Sequence, residues 1–194
     1  MAKIKDIVDI INEGIETALA EKRFAGSVIH NIATQSQDSN NTTSPYVIDT
    51  TGEGTHVFYD DTKPLVLYHK YSGSNNYRSE SLNQFGDDDS SVLTSYNMSV
   101  IVMCSRNITQ LEPDDVETII VSGFPSRLSN LQLNTLNLLG CEMVVNGSDH
   151  SALSIFNREF TGQKNKFDPR IFMFEVRYTI ECSYNKGCIN TLCC

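Results

Sequence analysis

A long period-two pattern runs through residues 171–182. From Phe172 onward, Phe172, Phe174, Val176, Tyr178, Ile180 and Cys182 alternate with Met173, Glu175, Arg177, Thr179 and Glu181, the pattern of a β-strand with one buried face. Pro169 marks its start, because proline cannot donate to a ladder. Residues 92–104 repeat the pattern, with Tyr96, Met98, Val100 and Val102 on one face and Asn97, Ser99, Ile101 and Met103 on the other. The two runs predict strands at the centre of one sheet.

Residues 3–24 change period. Ile4, Ile7, Val8, Ile11, Ile15, Ala18 and Leu19 fall on one helical face, with Gly26 as a stop signal, which predicts an amphipathic helix laid on the sheet. Its polar face carries Asp6, Asp9, Glu13, Glu16 and Glu21, whereas a membrane-surface helix needs Lys and Arg there. Residues 27–32 read as a short strand, and residues 46–49, 55–59 and 65–70 as three short strands whose connections are too short for crossover helices, hence an antiparallel meander. Residues 71–91, rich in Ser, Asn and Gly and carrying Asp87, Asp88 and Asp89, read as a long exposed loop. Residues 113–122 read as a helix with Pro113 in its first turn and Asp114 and Asp115 on the positive end of its dipole.

Later segments are shorter. The leucine-rich residues 128–139 fit either helix or strand. Residues 141–145 predict a strand ended by an Asn146-Gly147 turn. Residues 149–160 predict a short helix capped by Asp149, with Ala152, Leu153 and Phe156 on a shared face. The expected fold class is α+β: a mainly antiparallel β-sheet with an N-terminal amphipathic helix and one or two helices packed on it. The expected organisation is a single domain over residues 1–182 with the loop at 71–91, followed by an extended tail at 183–194.

Composition narrows the function more by exclusion than by motif. The 194 residues carry a net charge of -9, which opposes a surface built to hold phosphate backbones. Nothing approaches the roughly 20 apolar residues that cross a bilayer. Acidic and amide residues interrupt the N-terminal apolar positions, so no secretory leader is expected and the chain is expected to be made in the cytoplasm. Cys104 and Cys141 read as buried small hydrophobes, and Cys182, Cys188, Cys193 and Cys194 as free thiols first and a disulfide formed outside the cell second. Their spacing is not that of a zinc site. His30, His56, His69 and His150 lie in no nucleophile–base or metal-binding pattern and read as surface or partly buried histidines. No catalytic, cofactor-binding or metal-ligating residue is expected.

The order of features nonetheless resembles a family. The N-terminal helix is followed by Val57-Phe58-Tyr59-Asp60-Asp61-Thr62, then Leu65-Val66-Leu67-Tyr68-His69, then the strand through Tyr96–Met103. Asp149-His150-Ser151-Ala152-Leu153-Ser154-Ile155-Phe156-Asn157-Arg158-Glu159-Phe160-Thr161-Gly162 then leads into the strand from Phe172 to Ile180. This resembles the head-to-tail connector and tail-terminator-like ring proteins of tailed bacteriophages, most nearly the neck or tail rings of crAss-like phages that infect Bacteroidetes. The resemblance implies a structural virion protein, not an enzyme. It implies a homo-oligomeric ring of six or twelve subunits in the neck or tail, joining head to tail around the DNA channel and touching neighbouring ring proteins. DNA is then passing cargo only, and no cofactor or membrane is involved. Asp87, Asp88, Asp89, Asp60, Asp61 and Glu53 are candidates for an acidic lumen, and 71–91 and 182–194 for contacts with adjacent subunits. The longer loop and the Cys-rich tail depart from a compact terminator subunit. The alternative is a soluble adaptor or binding protein acting as monomer or dimer, and a third is an enzyme assembled from scattered residues.

Overall fold

In the computed structural model the two patterned runs form β5 (Ser91–Ser105) and β8 (Ile171–Asn185), paired antiparallel over their whole lengths from Ser91↔Asn185 to Ser105↔Ile171. The structure describes residues 4–22, 24–38, 40–48, 52–79, 91–128, 133, 138–163 and 167–185. The other elements are α1 (Ile4–Glu21), β1 (Val28–Gln37), β2 (Thr43–Ile48), β3 (Gly54–His56), β4 (Leu65–Ser79), α2 (Arg106–Thr109), α3 (Pro113–Ser122), β6 (Arg127–Leu128), β7 (Leu138–Asp149) and α4 (Ala152–Glu159). All the described strands join one eight-stranded sheet in the order β3-β2-β1-β4-β5-β8-β7-β6. Strands of 15 residues, as β4, β5 and β8 are, extend about 50 Å at the usual rise per residue. The fold is α+β with a mainly antiparallel sheet and an N-terminal helix, as the patterning predicts.

Alternation assigns the two faces. Phe172, Phe174, Val176, Tyr178, Ile180, Cys182 and Tyr184 of β8 join Met98, Val100, Val102 and Cys104 of β5 under α1 and α3. Five α1 side chains, Ile7, Val8, Ile11, Ile15 and Leu19, are buried there, a gross stabilisation of roughly 10 kcal/mol at about 2 kcal/mol per side chain. α1 meets the end of α3 without side chains between them: a Cβ on Gly14 would stand 2.1 Å from the Gly123 carbonyl oxygen, and one on Gly123 2.6 Å from the Ile15 Cα. Glycine is required at both positions for that approach.

The opposite face is covered only at one end. There α4 places Ile155 and Phe160 over Val66, Tyr68, Ile101, Met103, Ile171 and Met173. Beyond the Ile101–Glu175 pair this face turns polar, through Asn97, Thr179, Glu181 and Glu142, with no described helix over it. Met173 and Glu175, expected on the open face of β8, are therefore buried at 2% and 6% exposure, because α4 supplies a second layer that strand periodicity cannot signal.

Several expectations are corrected. β4 neighbours not β3 but β1, paired in parallel through Val28↔Val66 and Ile29↔Leu67, so the strands from β2 to β4 are not a meander. Residues 57–64 cross back from β3, held by buried Val57, whose N–H bonds to the Pro45 carbonyl. The stretch expected as a loop from 71 is strand as far as Ser79, through a register shift between Tyr71 and Gly73 with Gly73 at φ 135°. Polar residues suit this part of β4 because Tyr71, Ser72, Ser74 and Asn75 are exposed. Residues 80–90, with Asp87, Asp88 and Asp89, lie outside the described residues. Asn146-Gly147 is not a terminating turn but a bulge within β7, where the register shifts between Val145 and Gly147, with Gly147 at φ 126°.

Asp149 does not cap α4 directly. It lies two residues before the N-cap, Ser151, whose N–H and hydroxyl its carboxylate accepts from, and the face α4 buries is Ile155 and Glu159, leaving Leu153 56% exposed. β8 continues through Asn185, so the first residues of the expected tail are strand. Of residues 128–139, Leu128 belongs to β6, the segment from Leu138 to β7, and Leu133 is buried at a turn; the others lie outside the described residues.

Candidate functional site

The α4 end of the sheet concentrates the charged chemistry of the described residues. Glu159, on the last turn of α4, has no solvent exposure. Its Oε1 accepts from Lys70 Nζ and Arg158 Nε, each at 2.7 Å, and its Oε2 from Gln35 Nε2 at 3.0 Å and Tyr68 Oη at 3.1 Å. Four donors satisfy the four lone-pair directions of the carboxylate, so a buried negative charge is tolerated. Arg158 also donates to Glu175 at 3.1 Å, and Arg177 links Glu175 at 3.4 Å to Asp149 at 3.7 Å. The carboxylates of Glu159, Glu175 and Asp149 are thus matched by Lys70, Arg158 and Arg177.

Burial, and next the charge on Glu159, push the Tyr68 phenol well above its ordinary pKa. Burial opposes the Arg158 charge, yet the hydrogen bond to Glu159 and the Glu175 charge hold its pKa above the usual arginine value. With every lone pair engaged, Glu159 works as a rivet between α4, β1 and β4. Sequence periodicity missed it; the available signal was an acid at 175 inside the otherwise apolar 171–176.

Beside this centre lies a cleft of about 240 Å³, lined chiefly by Phe58, Phe156, Phe160, Phe167, Met103 and Met173. Phe160 stacks on Phe156 at 4.9 Å and on Phe58 at 6.3 Å, and Phe58 is 51% exposed. The cleft follows from α4 ending at Phe160 and from the returning segment 57–64, which sets Phe58 and Tyr59 against it.

The histidines divide by environment. His69 is fully buried, with Nδ1 2.7 Å from the Tyr178 hydroxyl and Nε2 2.8 Å from Asn12 Oδ1. The Asn12 oxygen only accepts, so Nε2 carries the proton and Nδ1 accepts from Tyr178; burial lowers the His69 pKa to about 3. Burial also lowers that of His30. His56 is exposed and bonds the Ser44 hydroxyl at 2.7 Å. His150, just beyond β7, reaches α3: Nε2 lies 2.6 Å from Glu117 Oε2 and Nδ1 3.1 Å from Asp114 Oδ1.

Of the acidic positions expected in a lumen, Glu53, Asp60 and Asp61 are among the described residues. Glu53 is exposed just before β3. Asp60 is engaged in its own turn by the Thr62 hydroxyl and N–H, which lower its pKa, with Lys63 nearby. Asp61 lies within electrostatic reach of Arg170, so that corner is of mixed charge. Cys182 is not a free thiol, nor is Cys141 a lone buried hydrophobe. The register sets them opposite each other on β7 and β8, and they form a disulfide with Cα atoms 4.1 Å apart. Cys104 is buried, its thiol pushed up to about 12 by burial. Cys188, Cys193 and Cys194 lie outside the described residues. Among the described residues no helix is long and apolar enough to cross a membrane. No known family model and no curated protein matches the chain.

Proposed function

We propose that this chain is a structural virion protein, a non-enzymatic subunit of a homo-oligomeric ring in the neck or tail of a tailed phage. The ring joins head to tail and surrounds the DNA channel. The observation that carries this reading is the half-covered sheet. One face is buried in a core shared with α1 and α3, while the distal half of the other presents Asn97, Thr179, Glu181 and Glu142 with no described helix over it. At the β7 margin Val144 and Val145 are 49% and 40% exposed. A heterologous ring needs two dissimilar surfaces on each subunit, and a sheet with unlike faces and unlike edges provides them. The net charge of -9 suits a channel wall past which DNA slides, since an acidic surface releases no counterions on meeting a phosphate backbone. Manufacture in the host cytoplasm and residence in the virion belong to the same reading, as do contacts with neighbouring ring proteins.

Light scattering with negative-stain imaging tests it. The expected particle is a holed ring of six or twelve times 21.7 kDa. A monomer that persists at high concentration and in the presence of phage neck proteins overturns the reading. The aromatic cleft beneath Phe58 favours one second reading, a soluble adaptor acting as monomer or dimer that grips an apolar side chain of its partner; a persistent monomer or dimer that binds such a partner supports it.

A further inference from the structure

We propose that the cleft at the α4 end of the sheet receives Ile189 and Leu192, in segment 186–194, from a second copy of the chain. The inference rests on the ring reading above and names the contact through which one subunit holds the next.

The cleft calls for an apolar occupant. Phe58, Phe156, Phe160 and Phe167 line it over Met103 and Met173. Phe58 stays 51% exposed although it stacks on His56 at 5.9 Å and on Phe160 at 6.3 Å. The volume of about 240 Å³ is below the roughly 300–1,000 Å³ of pockets that take drug-sized molecules, and it suits the side chains of a protein segment. Among the described lining residues the one charge is on Asp168, and Arg170 already pairs with it at 2.6 Å.

Reach decides whose segment can enter. On β8 the cleft residue nearest the far end is Met173, and the strand from Met173 to Asn185 covers about 40 Å at the usual rise per residue. Segment 186–194, at no more than about 3.6 Å per residue, extends about 32 Å beyond Asn185. It is too short to fill its own cleft, whereas the cleft of another copy is open to it.

Composition agrees with that occupant. Ile189 and Leu192 are the branched aliphatic residues of the segment, and its one charged side chain is Lys186, so no acid meets Asp168. Stretch 80–90, by contrast, carries Glu80, Asp87, Asp88 and Asp89 and is anchored at both ends by the Ser79↔Ser91 pair. The proposed contact is directional, joining the far end of β8 on one subunit to the α4 end of the next. Unlike surfaces meet in it, which is the heterologous geometry that closes rings.

The test uses the full chain with Asn190 replaced by the photo-crosslinker p-benzoylphenylalanine, which leaves Ile189 and Leu192 in place, and with accessible thiols alkylated. Irradiation is expected to give covalent dimers on a denaturing gel, with crosslinks that mass spectrometry maps to the cleft. Phe58→Ser, and separately the double variant Ile189→Ser, Leu192→Ser, are expected to lose these adducts and to weaken self-association by about tenfold or more. Leu153→Ser, at an exposed α4 residue outside the lining, is expected to change neither. The double variant alters no residue of the described fold, so it decides the matter should Phe58→Ser misfold. Adducts confined to single chains, dimers linked elsewhere, or adducts undiminished in the double variant overturn the proposal. Light scattering on the same samples separates it from the ring reading. Rings without cleft crosslinks overturn the docking alone. Cleft-linked chains that never exceed a dimer support the docking and overturn the ring.

Discussion

Lowering the pH from 7 to 5 acts on His69 in a way the structure makes quantitative. The ring is fully buried, donates from Nε2 to Asn12 and accepts from Tyr178 at Nδ1, and no carboxylate is bonded to it. Its pKa falls to about 3 from 6.5 in the unfolded chain. A depressed folded-state pKa means the unfolded chain takes up the proton first. The stability that the neutral ring contributes is complete above pH 6.5 and is lost progressively as pH falls toward 3. The slope is about 1.4 kcal/mol per pH unit, so moving from pH 7 to pH 5 costs about 2 kcal/mol from this residue alone. Urea unfolding at the two pH values, at one ionic strength, reads the loss directly. His69→Gln, which cannot titrate, should lose about 2 kcal/mol less over the same interval. An NMR titration of the wild-type ring gives an independent reading, with no shift of the His69 resonance expected down to pH 5. A midpoint near 6.5, or a His69→Gln variant with the wild-type pH dependence, refutes the reasoning.

Three further outcomes follow from the packing. Reducing Cys141–Cys182, or replacing both by Ser, frees a span with sequence separation 41. Loop-closure entropy then predicts a loss of about 4 kcal/mol, read by thermal melting with and without reductant, with intact mass after alkylation confirming which thiols were free. Glu159→Ala strands Lys70 and Arg158 beside a buried hole and should cost about 3–5 kcal/mol, whereas Lys70→Met, at a side chain 26% exposed, should cost clearly less. Equal losses in chemical denaturation would contradict the rivet described above. Gly14→Ala, which in an isolated helix gains about 1 kcal/mol, should instead lose about 1–3 kcal/mol, because the new methyl meets the Gly123 carbonyl.

Elements whose burial is periodic were legible from the chain alone. α1 was legible because Ile7, Val8, Ile11, Ile15 and Leu19 follow one helical stripe, and all are buried where that stripe predicts. β5 and β8 were legible because alternation over such a length has one physical cause, a strand with a buried face, and they lie side by side in the sheet. Pro113 and the acids after it marked α3 for the same local reason.

Features that depend on a partner distant in the chain were not legible until the elements packed together. Polar residues after Tyr71 look like loop until β5 offers them a ladder to complete. Asn146-Gly147 looks like a turn until β8, pairing on both sides of it, makes it a bulge. Glu159 and Glu175 look exposed until α4 closes over Tyr68 and brings Lys70 and Arg158 to them. Cys141 pairs with Cys182, and His150 meets Asp114 and Glu117, only because a strand register and a helix position bring them together. Periodicity records which face of an element is dry. It carries no information about which distant side chain completes a charge, as Lys70 does for Glu159.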